Sequence, residues 1–566
     1  MASLISALDN CTPLQVGENG SLEYTWSNDM TEQIVQVSFQ LTRCRDDKQI
    51  QLLASKVRTL LTSLNAQYRS QHIPREVYVQ YMSVLYRMIG HTRDILEGKG
   101  EYTLAYMLLC EWERVDKQLA NFAFKHFLLA PENSPNEHPY GCWKDIKYLY
   151  KYKNTSTLVD YGLELLVAQL RQDTVSEMPS LAAKWAPREK SQFGLLFTQL
   201  ASTYFHQYLE SANSDTARSK ATLKAKTEMR KLLSSLNRKL DTVQIKQCGG
   251  DWASIDPSKQ TSITMLKQKK AFLNVDKNGL QRSSLDDRIS CANNFKEFVK
   301  AAAAGEVQVK GKRIGLNDFT QEALRLVHMR DSDEAILLNA QWRDNASQTG
   351  TLGNMIAMVD TSGSMSGDPL HAAIALGIRI AEKSRLGKRV LTFSAAPKWH
   401  NLEGHDDFVD IVSVLRDAEW GMNTNFYAAM KMILDAIVSQ KLAPNDVEDM
   451  VLVILSDMQM DQADSSAKSV MRSIELLYAE AGQQLWNKPF KPPHILFWNL
   501  RSTSGFPTLS TQPNCSMMSG FSAALLNLFC DDGLNALQSC TPWSLLVKSL
   551  DNERYAVLDR FIRETL

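Results

Sequence analysis

The feature that most constrains this chain is a regular alternation of short apolar runs and helical patterns after Asn345. The strand-length runs are residues 355–359, 389–393, 450–455 and 495–500. The helical patterns are residues 370–383, 408–418, 426–438 and 467–482. Strands that are apolar throughout and separated by helices predict a mostly parallel sheet with helices on both faces. In such sheets ligands bind beyond the carboxyl ends of the strands.

The part of the chain before Asn345 carries mainly helical patterns. Apolar side chains recur at helical spacing over residues 75–96, 103–129 and 158–168. Val35, Val37, Phe39 and Leu41 alternate with polar residues, which predicts a short strand or an extended segment that leads into the helices. The helices could stack in pairs as HEAT-like repeats, although no fixed repeat period is visible.

The length of 566 residues is too great for one compact core, since domains usually stop growing near about 250 to 300 residues. We therefore divide the chain into a helical region, residues 1–345, and an α/β domain, residues 346–566.

The 63 Lys and Arg residues balance 63 Asp and Glu residues, but the positive charge is unevenly distributed. Residues 218–313 hold 21 basic and nine acidic residues. The candidate RNA-binding residues in this basic segment are Lys220, Lys224, Lys226, Arg230, Lys231, Arg238, Lys239, Lys267, Lys269, Lys270, Lys310, Lys312 and Arg313. Solvated helix faces are the alternative explanation, since charge runs usually have that role. Aromatic residues are sparse here, so phosphate contacts and shape fit better than base stacking.

Three strand ends carry oxygen-bearing side chains. The first strand runs into D-x-S-x-S, with Asp360, Ser362 and Ser364. Thr424 precedes a helix, and Asp457 ends another apolar strand. These segments should meet at one edge of the sheet, where hard oxygen ligands suit Mg²⁺ or Mn²⁺. The alternative is that these residues only cap helices.

This pattern resembles the metal-ion-dependent adhesion site of the von Willebrand factor A domain, which uses the same residue types on three loops. The wider chain resembles a family of uncharacterised proteins of plants and large DNA viruses. That likeness lies in the stretches Glu18–Ser21, Tyr140–Asp145, Trp420–Thr424 and Phe497–Arg501.

The layout is also similar to that of the Ro autoantigen (TROVE) proteins, in which a ring of helical repeats is joined to an A domain. That resemblance implies binding of structured noncoding RNA by the helical region. The A-domain resemblance implies a cation that accepts an acidic group from a partner protein.

Enzyme motifs do not fit the sequence. The hydrolase motif G-x-S-x-G would place serine at Met365, and Gly311-Lys312 lies out of register for a phosphate-binding loop. The nine cysteines form no C-x-x-C pair, the amino terminus lacks a signal-peptide pattern, and no apolar run approaches membrane-spanning length. We expect a cytoplasmic protein in a reducing compartment, without membrane association.

These observations predict a non-enzymatic binding protein, a ribonucleoprotein component that binds RNA and, through Mg²⁺ or Mn²⁺, a protein partner. The alternative is a protein-interaction scaffold that uses only the metal site and binds no RNA.

Overall fold

A computed structural model describes residues 13–131, 138–330, 332–416, 424–443, 447, 449–461, 470–503, 505–530 and 540–566. The amino-terminal part begins with a small antiparallel hairpin of β1 (Leu14–Val16) and β2 (Leu22–Tyr24).

Sixteen helices lie between this hairpin and the main sheet in the described residues. They are α1 (Met30–Gln40), α2 (Asp47–Arg69), α3 (Arg75–Arg93), α4 (Thr103–Val115), α5 (Lys117–Leu128), α6 (Asp145–Tyr152), α7 (Thr157–Val175), α8 (Ala182–Trp185), α9 (Gly194–Tyr204), α10 (His206–Glu210), α11 (Asp215–Lys239), α12 (Val243–Gly249), α13 (Ser262–Phe272), α14 (Asp286–Ala303), α15 (Leu316–Leu326) and α16 (Asp333–Ala346). The prediction of a helix-rich first region is confirmed, whereas the repeat arrangement stays a prediction.

The strand predicted from alternation at Val35 to Leu41 is wrong, because these residues belong to helix α1 and the turn after it. The side chain of Asp29 caps the helix by accepting from the backbone N–H of Glu32 at 2.9 Å. Buried Gln36 donates to the backbone oxygen of Thr25. Polar residues are therefore buried and hydrogen-bonded between the apolar ones, which produced a misleading period of two.

The continuous stripe predicted over residues 103–129 is two helices, α4 and α5. They meet at Asp116, whose extended backbone (φ −152°) breaks the helical path. Its carboxylate accepts from the backbone N–H groups of Gln118 and Leu119, which starts the second helix.

The main sheet has six strands in the order β5-β4-β3-β6-β7-β8. All neighbours are parallel except β4 and β5. The strands are β3 (Met355–Asp360), β4 (Arg389–Phe393), β5 (Lys398–Asn401), β6 (Val451–Ser456), β7 (His494–Asn499) and β8 (Cys515–Ser519). The four predicted strands are confirmed as β3, β4, β6 and β7, and the sequence reading missed β5 and β8.

The helices that follow β3 are α17 (Asp368–Lys383), α18 (Phe408–Arg416), α19 (Phe426–Gln440), α20 (Val470–Trp486), α21 (Pro542–Leu550) and α22 (Glu553–Thr565). The predicted ends of two helices, residues 417–418 and 467–469, lie outside the described residues. The coarse prediction of a mostly parallel α/β sheet is confirmed.

Alternate residues of the central strands belong to two different cores. Met358 and Ile454 face a core shared with α19, α20 and the amino-terminal helices. Val359 and Leu455 face the opposite core, which is built with α15, α16, α17 and α18. A third core joins α13, α14 and part of α16.

The packing crosses the predicted boundary at residue 345. Helices α15 and α16 precede it but cover the sheet, while α22 follows it but packs on α3. Phe561 of α22 stacks on Phe122 of α5, with ring centroids 3.7 Å apart. The division at 345 stays a prediction about the sequence, since the folded cores are shared.

Candidate cation site at the centre of the sheet

The predicted site lies where the order of strands reverses. From β3 the chain continues to β4 and β5 on one side, then returns to place β6, β7 and β8 on the other. Asp360 is the last residue of β3, and Asp457 directly follows its parallel neighbour β6. This reversal is the usual ligand position in open α/β sheets.

Asp360 is fully buried and accepts two hydrogen bonds. The backbone N–H of Ser362 donates to Oδ1 at 2.9 Å, and the hydroxyl of Ser456 donates to Oδ2 at 2.6 Å. Within the described residues, Asp360 has no lysine or arginine partner. Burial, followed by the negative charge of Asp457, raises the pKa of Asp360 to about 7. A buried carboxylate of this kind is stabilised by a cation.

The first loop also brings two hydroxyl groups together. The Oγ atoms of Ser362 and Ser364 are 3.1 Å apart. Gly367 has φ +90°, a conformation that favours glycine, whereas Gly363 lies within a 3-10 turn. Of the two glycines, Gly367 is therefore the one whose backbone conformation requires glycine.

Thr424 is buried and is fixed beside the loop that follows Asp457. Its backbone N–H donates to the carboxylate of Asp461 at 2.9 Å, and the N–H of Asp461 donates back to its carbonyl at 2.9 Å. The side-chain amide of Asn19 donates to the Thr424 hydroxyl over a long 3.5 Å. The segment before Thr424, residues 417–423, lies outside the described residues.

The turn after Asp457 is strained. Met458 has φ +65°, which is uncommon for a residue with a side chain and costs free energy unless the surroundings enforce it. Its backbone N–H donates to the Ser456 hydroxyl at 2.9 Å, the same hydroxyl that donates to Asp360. The strained turn and the buried carboxylate are thus joined by one serine.

Arg501 reaches the site from the loop after β7, which the sequence reading did not anticipate. Its Nη1 lies 3.3 Å from Asp457 Oδ2 and donates to the carbonyl of Ser364 at 3.1 Å. The Asp457 side chain is fully buried, but the Arg501 side chain remains 43% exposed. One of the two carboxylates therefore already has a partial positive partner.

Glu18 and Asn19 also belong to the site, although they lie far from its other residues in sequence. The amide side chain of Asn19 donates to the carbonyl of Gln459 at 2.8 Å, and Gln459 Oε1 accepts from the backbone N–H of Glu18 at 3.1 Å. The β1–β2 hairpin thus rests on the strand-end loops. The turn of this hairpin and the segment that ends in Arg501 are both among the stretches that carry the family resemblance. That resemblance could have indicated from the sequence that the two segments belong to one site.

The predicted ligands consist of two carboxylates and three hydroxyls. The described residues contain no group of three or more His, Cys, Asp or Glu side chains placed to hold a metal ion. The donor chemistry here is of another kind, since hydroxyl oxygens make up the majority. Two acidic groups and several hydroxyls suit a hard cation that keeps water molecules. The assignment stays a prediction.

The basic segment divides between two parts of the helical region. Lys220, Lys224, Lys226, Arg230, Lys231, Arg238 and Lys239 lie on α11, whose buried residues belong to the first core. Lys267, Lys269 and Lys270 lie on α13, and Lys310, Lys312 and Arg313 precede α15. Ten of the thirteen are exposed.

Several of these charges already have partners. Lys269 is 5% exposed and pairs with Glu322 and Glu334, so its charge is neutralised inside the protein. Lys226 pairs with Glu189 at 2.7 Å. These contacts favour structural roles for both lysines.

The Gly311-Lys312 segment is bound to a carboxylate. Both backbone N–H groups donate to Asp344 Oδ2, at 2.7 and 3.1 Å. A Cβ on Gly311 would lie 1.8 Å from the carbonyl oxygen of Gln341, so close packing against α16 explains this glycine.

The fold and site define a class: a mostly parallel α/β sheet, fused to a helical region, with polar side chains at its strand reversal. Among the helices that the structure describes, none is long and apolar enough to cross a bilayer.

Comparisons with known proteins match this chain to uncharacterised relatives. Two family models match, each described as a domain of unknown function: DUF2828 over residues 144–353 and DUF7788 over residues 354–552. The chain is also similar to "Uncharacterized protein L728" of Acanthamoeba polyphaga mimivirus. The two are 28% identical over 498 residues, which cover 83% of this chain and 79% of that protein. The predicted likeness to an uncharacterised family of large DNA viruses is consistent with this match.

Proposed function

We propose that this protein is a non-enzymatic binding protein whose α/β part, a von Willebrand factor A-like domain, binds an acidic partner protein through Mg²⁺ or Mn²⁺. The observation that carries the proposal is the burial of Asp360 beside Asp457 at the strand reversal, without a lysine or arginine partner for Asp360 in the described residues. Two neighbouring buried carboxylates repel each other, and a divalent cation relieves that repulsion.

The residues that would hold the cation are Asp360, Ser362, Ser364, Thr424 and Asp457. A bound cation would supply a positive charge with open positions for an acidic side chain of the partner. Arg501 competes for Asp457, and its exposed side chain gives the guanidinium group room to move away.

Metal titration by calorimetry tests this site. We expect wild-type protein to bind Mg²⁺ or Mn²⁺ and Asp360→Ala to lose that binding, because the buried carboxylate is a direct ligand. Asp215→Ala is the matched control, since Asp215 is an exposed residue at the start of α11. Equal binding by wild type and Asp360→Ala would show that the ligands are misassigned.

Partner chemistry needs a separate measurement. An oligo-glutamate peptide should bind in Mg²⁺ and be released by EDTA, whereas an oligo-lysine peptide should not bind. Metal binding without any acidic-peptide binding would retain the cation site and reject its proposed use.

We further propose that the helical region binds structured RNA in the manner of the Ro proteins. The exposed basic residues of α11 support this part. If the protein contacts about six phosphates, raising the salt concentration from about 50 to about 200 mM should weaken RNA binding by about 10³-fold, because phosphate contacts release counterions. Hairpin RNA affinity that is equal at both salt concentrations would reject it, leaving the scaffold alternative, which uses the metal site alone.

A further inference from the structure

A cavity of about 750 Å³ lies among α8, α9, α11 and the start of α12. Its wall carries the basic side chains of Lys184, Arg188, Lys190 and Arg230. Glu189 is the one carboxylate in that wall among the described residues. The volume is within the range of small-molecule sites, and the wall carries more positive than negative charge.

Glu189 does not neutralise this wall. Its carboxylate accepts from Lys226 at 2.7 Å and from Arg230, and these hydrogen bonds lower its pKa. In the described part of the chain, Lys184, Arg188 and Lys190 have no carboxylate partner. Arg188 donates to the backbone carbonyl of Ala183 at 3.1 Å, which holds its guanidinium group near α8.

Trp185 lies in the cavity wall, and three lysine side chains surround its ring. The Nζ atoms of Lys144, Lys184 and Lys147 lie 3.9, 5.4 and 5.7 Å from its ring centroid. One indole ring does not neutralise three ammonium groups. Burial, then the charges of Arg188 and Lys144, lower the pKa of Lys147 to about 8.

The sequence did not predict this cluster of basic side chains. Of the basic residues in the cavity wall and around Trp185, only Arg230 belongs to the predicted set. Lys144 directly precedes α6 and Lys147 lies on it, while Lys184 lies on α8 and Arg188 and Lys190 follow that helix. Their sequence neighbours include acidic and apolar residues, so no charge run is visible. The fold alone gathers them.

We propose that this cavity binds a phosphate group, carried either by a free nucleotide or by the 5′ end of an RNA chain. Phosphate offers several strong acceptor oxygens and about two negative charges, and an arginine fork binds two of those oxygens at once. Lys184 and Lys190 supply point charges, while Trp185 and Phe197 give the cavity an apolar wall. Where the phosphate belongs to RNA, the proposal rests on the proposed RNA binding.

Calorimetry with pyrophosphate and uridine monophosphate tests the site directly. Wild-type protein should bind both, and Arg188→Gln and Lys184→Gln should each bind at least about tenfold more weakly, a loss of about 1.4 kcal/mol. Lys48→Gln is the matched control, because it neutralises an exposed residue of α2 outside the cavity wall and the basic segment and should change affinity less than about twofold. Circular dichroism checks that each variant is folded.

Hairpin RNAs with a 5′-phosphate or a 5′-hydroxyl separate the two sources. Weaker binding of the hydroxyl form, lost in Arg188→Gln, supports the RNA end. Equal binding of both forms together with pocket-dependent nucleotide binding supports the free nucleotide. Pyrophosphate and uridine monophosphate affinities that are unchanged in both pocket variants would overturn the site. If hairpin RNA binding still falls in Lys220→Gln, the proposed RNA function survives that failure.

Discussion

Buried aspartates occur in two regions of this molecule with opposite electrostatic surroundings. In the helical region, Asp145 receives two hydrogen bonds from the guanidinium group of Arg93, at 2.6 and 2.8 Å, and all of these side chains are fully buried. At the end of the sheet, Asp360 receives hydrogen bonds from the Ser456 hydroxyl and from the backbone N–H of Ser362, and no lysine or arginine among the described residues pairs with it. The same residue type is paired with a guanidinium group in one region, whereas in the other the described residues give Asp360 no basic partner and its pKa is raised to about 7.

The difference separates structural from functional carboxylates. Asp94 repeats the structural arrangement, because Arg554 of α22 donates to both of its oxygens at 2.7 Å and ties the carboxyl-terminal helix to the helical region. Evolution of a stable fold alone favours such pairs, since an unpaired buried charge is costly. Two neighbouring buried carboxylates at a strand reversal, of which only Asp457 has a basic partner among the described residues, are therefore the better candidate for binding.

The largest expected effect on stability comes from removing the carboxylate of the buried Arg93–Asp145 ion pair. Asp145→Asn should lower the free energy of unfolding by about 3–5 kcal/mol, because Arg93 then becomes an uncompensated buried charge. Urea unfolding measures it, with exposed Asp215→Asn as the control. A loss below about 1 kcal/mol would contradict the structural role.

Acidification sharpens the comparison, because both regions contain buried histidines. Burial lowers the pKa of His126 in α5 and of His494 in β7 to about 4, below the unfolded value of about 6.5. The folded state then binds fewer protons, so stability is complete above pH 6.5 and falls as pH drops toward 4. Each histidine should account for about 3 kcal/mol.

Urea unfolding at several pH values measures this loss. His126→Gln and His494→Gln should each flatten the profile between about pH 6.5 and 4. A profile that is unchanged in both variants would show that other groups control acid unfolding.

Metal removal tests the two buried carboxylates at the end of the sheet, Asp360 and Asp457. Mg²⁺ at about 100 times its Kd should stabilise wild-type protein by about 2.7 kcal/mol, and EDTA should reverse the gain. Asp360→Asn should show no metal effect. At about pH 8, above the pKa of Asp360, its metal-free form should be about 1–2 kcal/mol more stable than metal-free wild type, because a buried charge is removed. Thermal unfolding with and without EDTA measures both. A variant that still gains stability from Mg²⁺ would place the cation elsewhere.

The smallest expected effect is that of Arg501, the basic residue that lies beside Asp457 at the cation site. Arg501→Ala should strengthen Mn²⁺ binding by about 3- to 10-fold, up to about 1.4 kcal/mol, because the guanidinium group no longer competes for Asp457. Arg472→Ala, which removes an exposed partner of Glu475, is the control. Weaker Mn²⁺ binding in Arg501→Ala would indicate that the arginine supports the site.

Much of the α/β fold was predictable because its strands are buried on both faces. Val451–Ser456 and His494–Asn499 read as apolar runs for that reason. The edge strand Lys398–Asn401 was missed because three of its four residues are exposed and polar or aromatic. Helix α1 was misread because its polar residues are buried by side-chain hydrogen bonds that no local pattern reveals.

Local chemistry in the sequence determined which residues can serve at the strand ends, since D-x-S-x-S and the aspartate after β6 lie next to the strands that present them. The neighbours of those residues were decided by the tertiary structure. Arg501, Asn19 and the cations around Trp185 come from segments separated by tens to hundreds of positions. Electrostatic interaction depends on distance through space, so only the folded chain determines which charges are compensated.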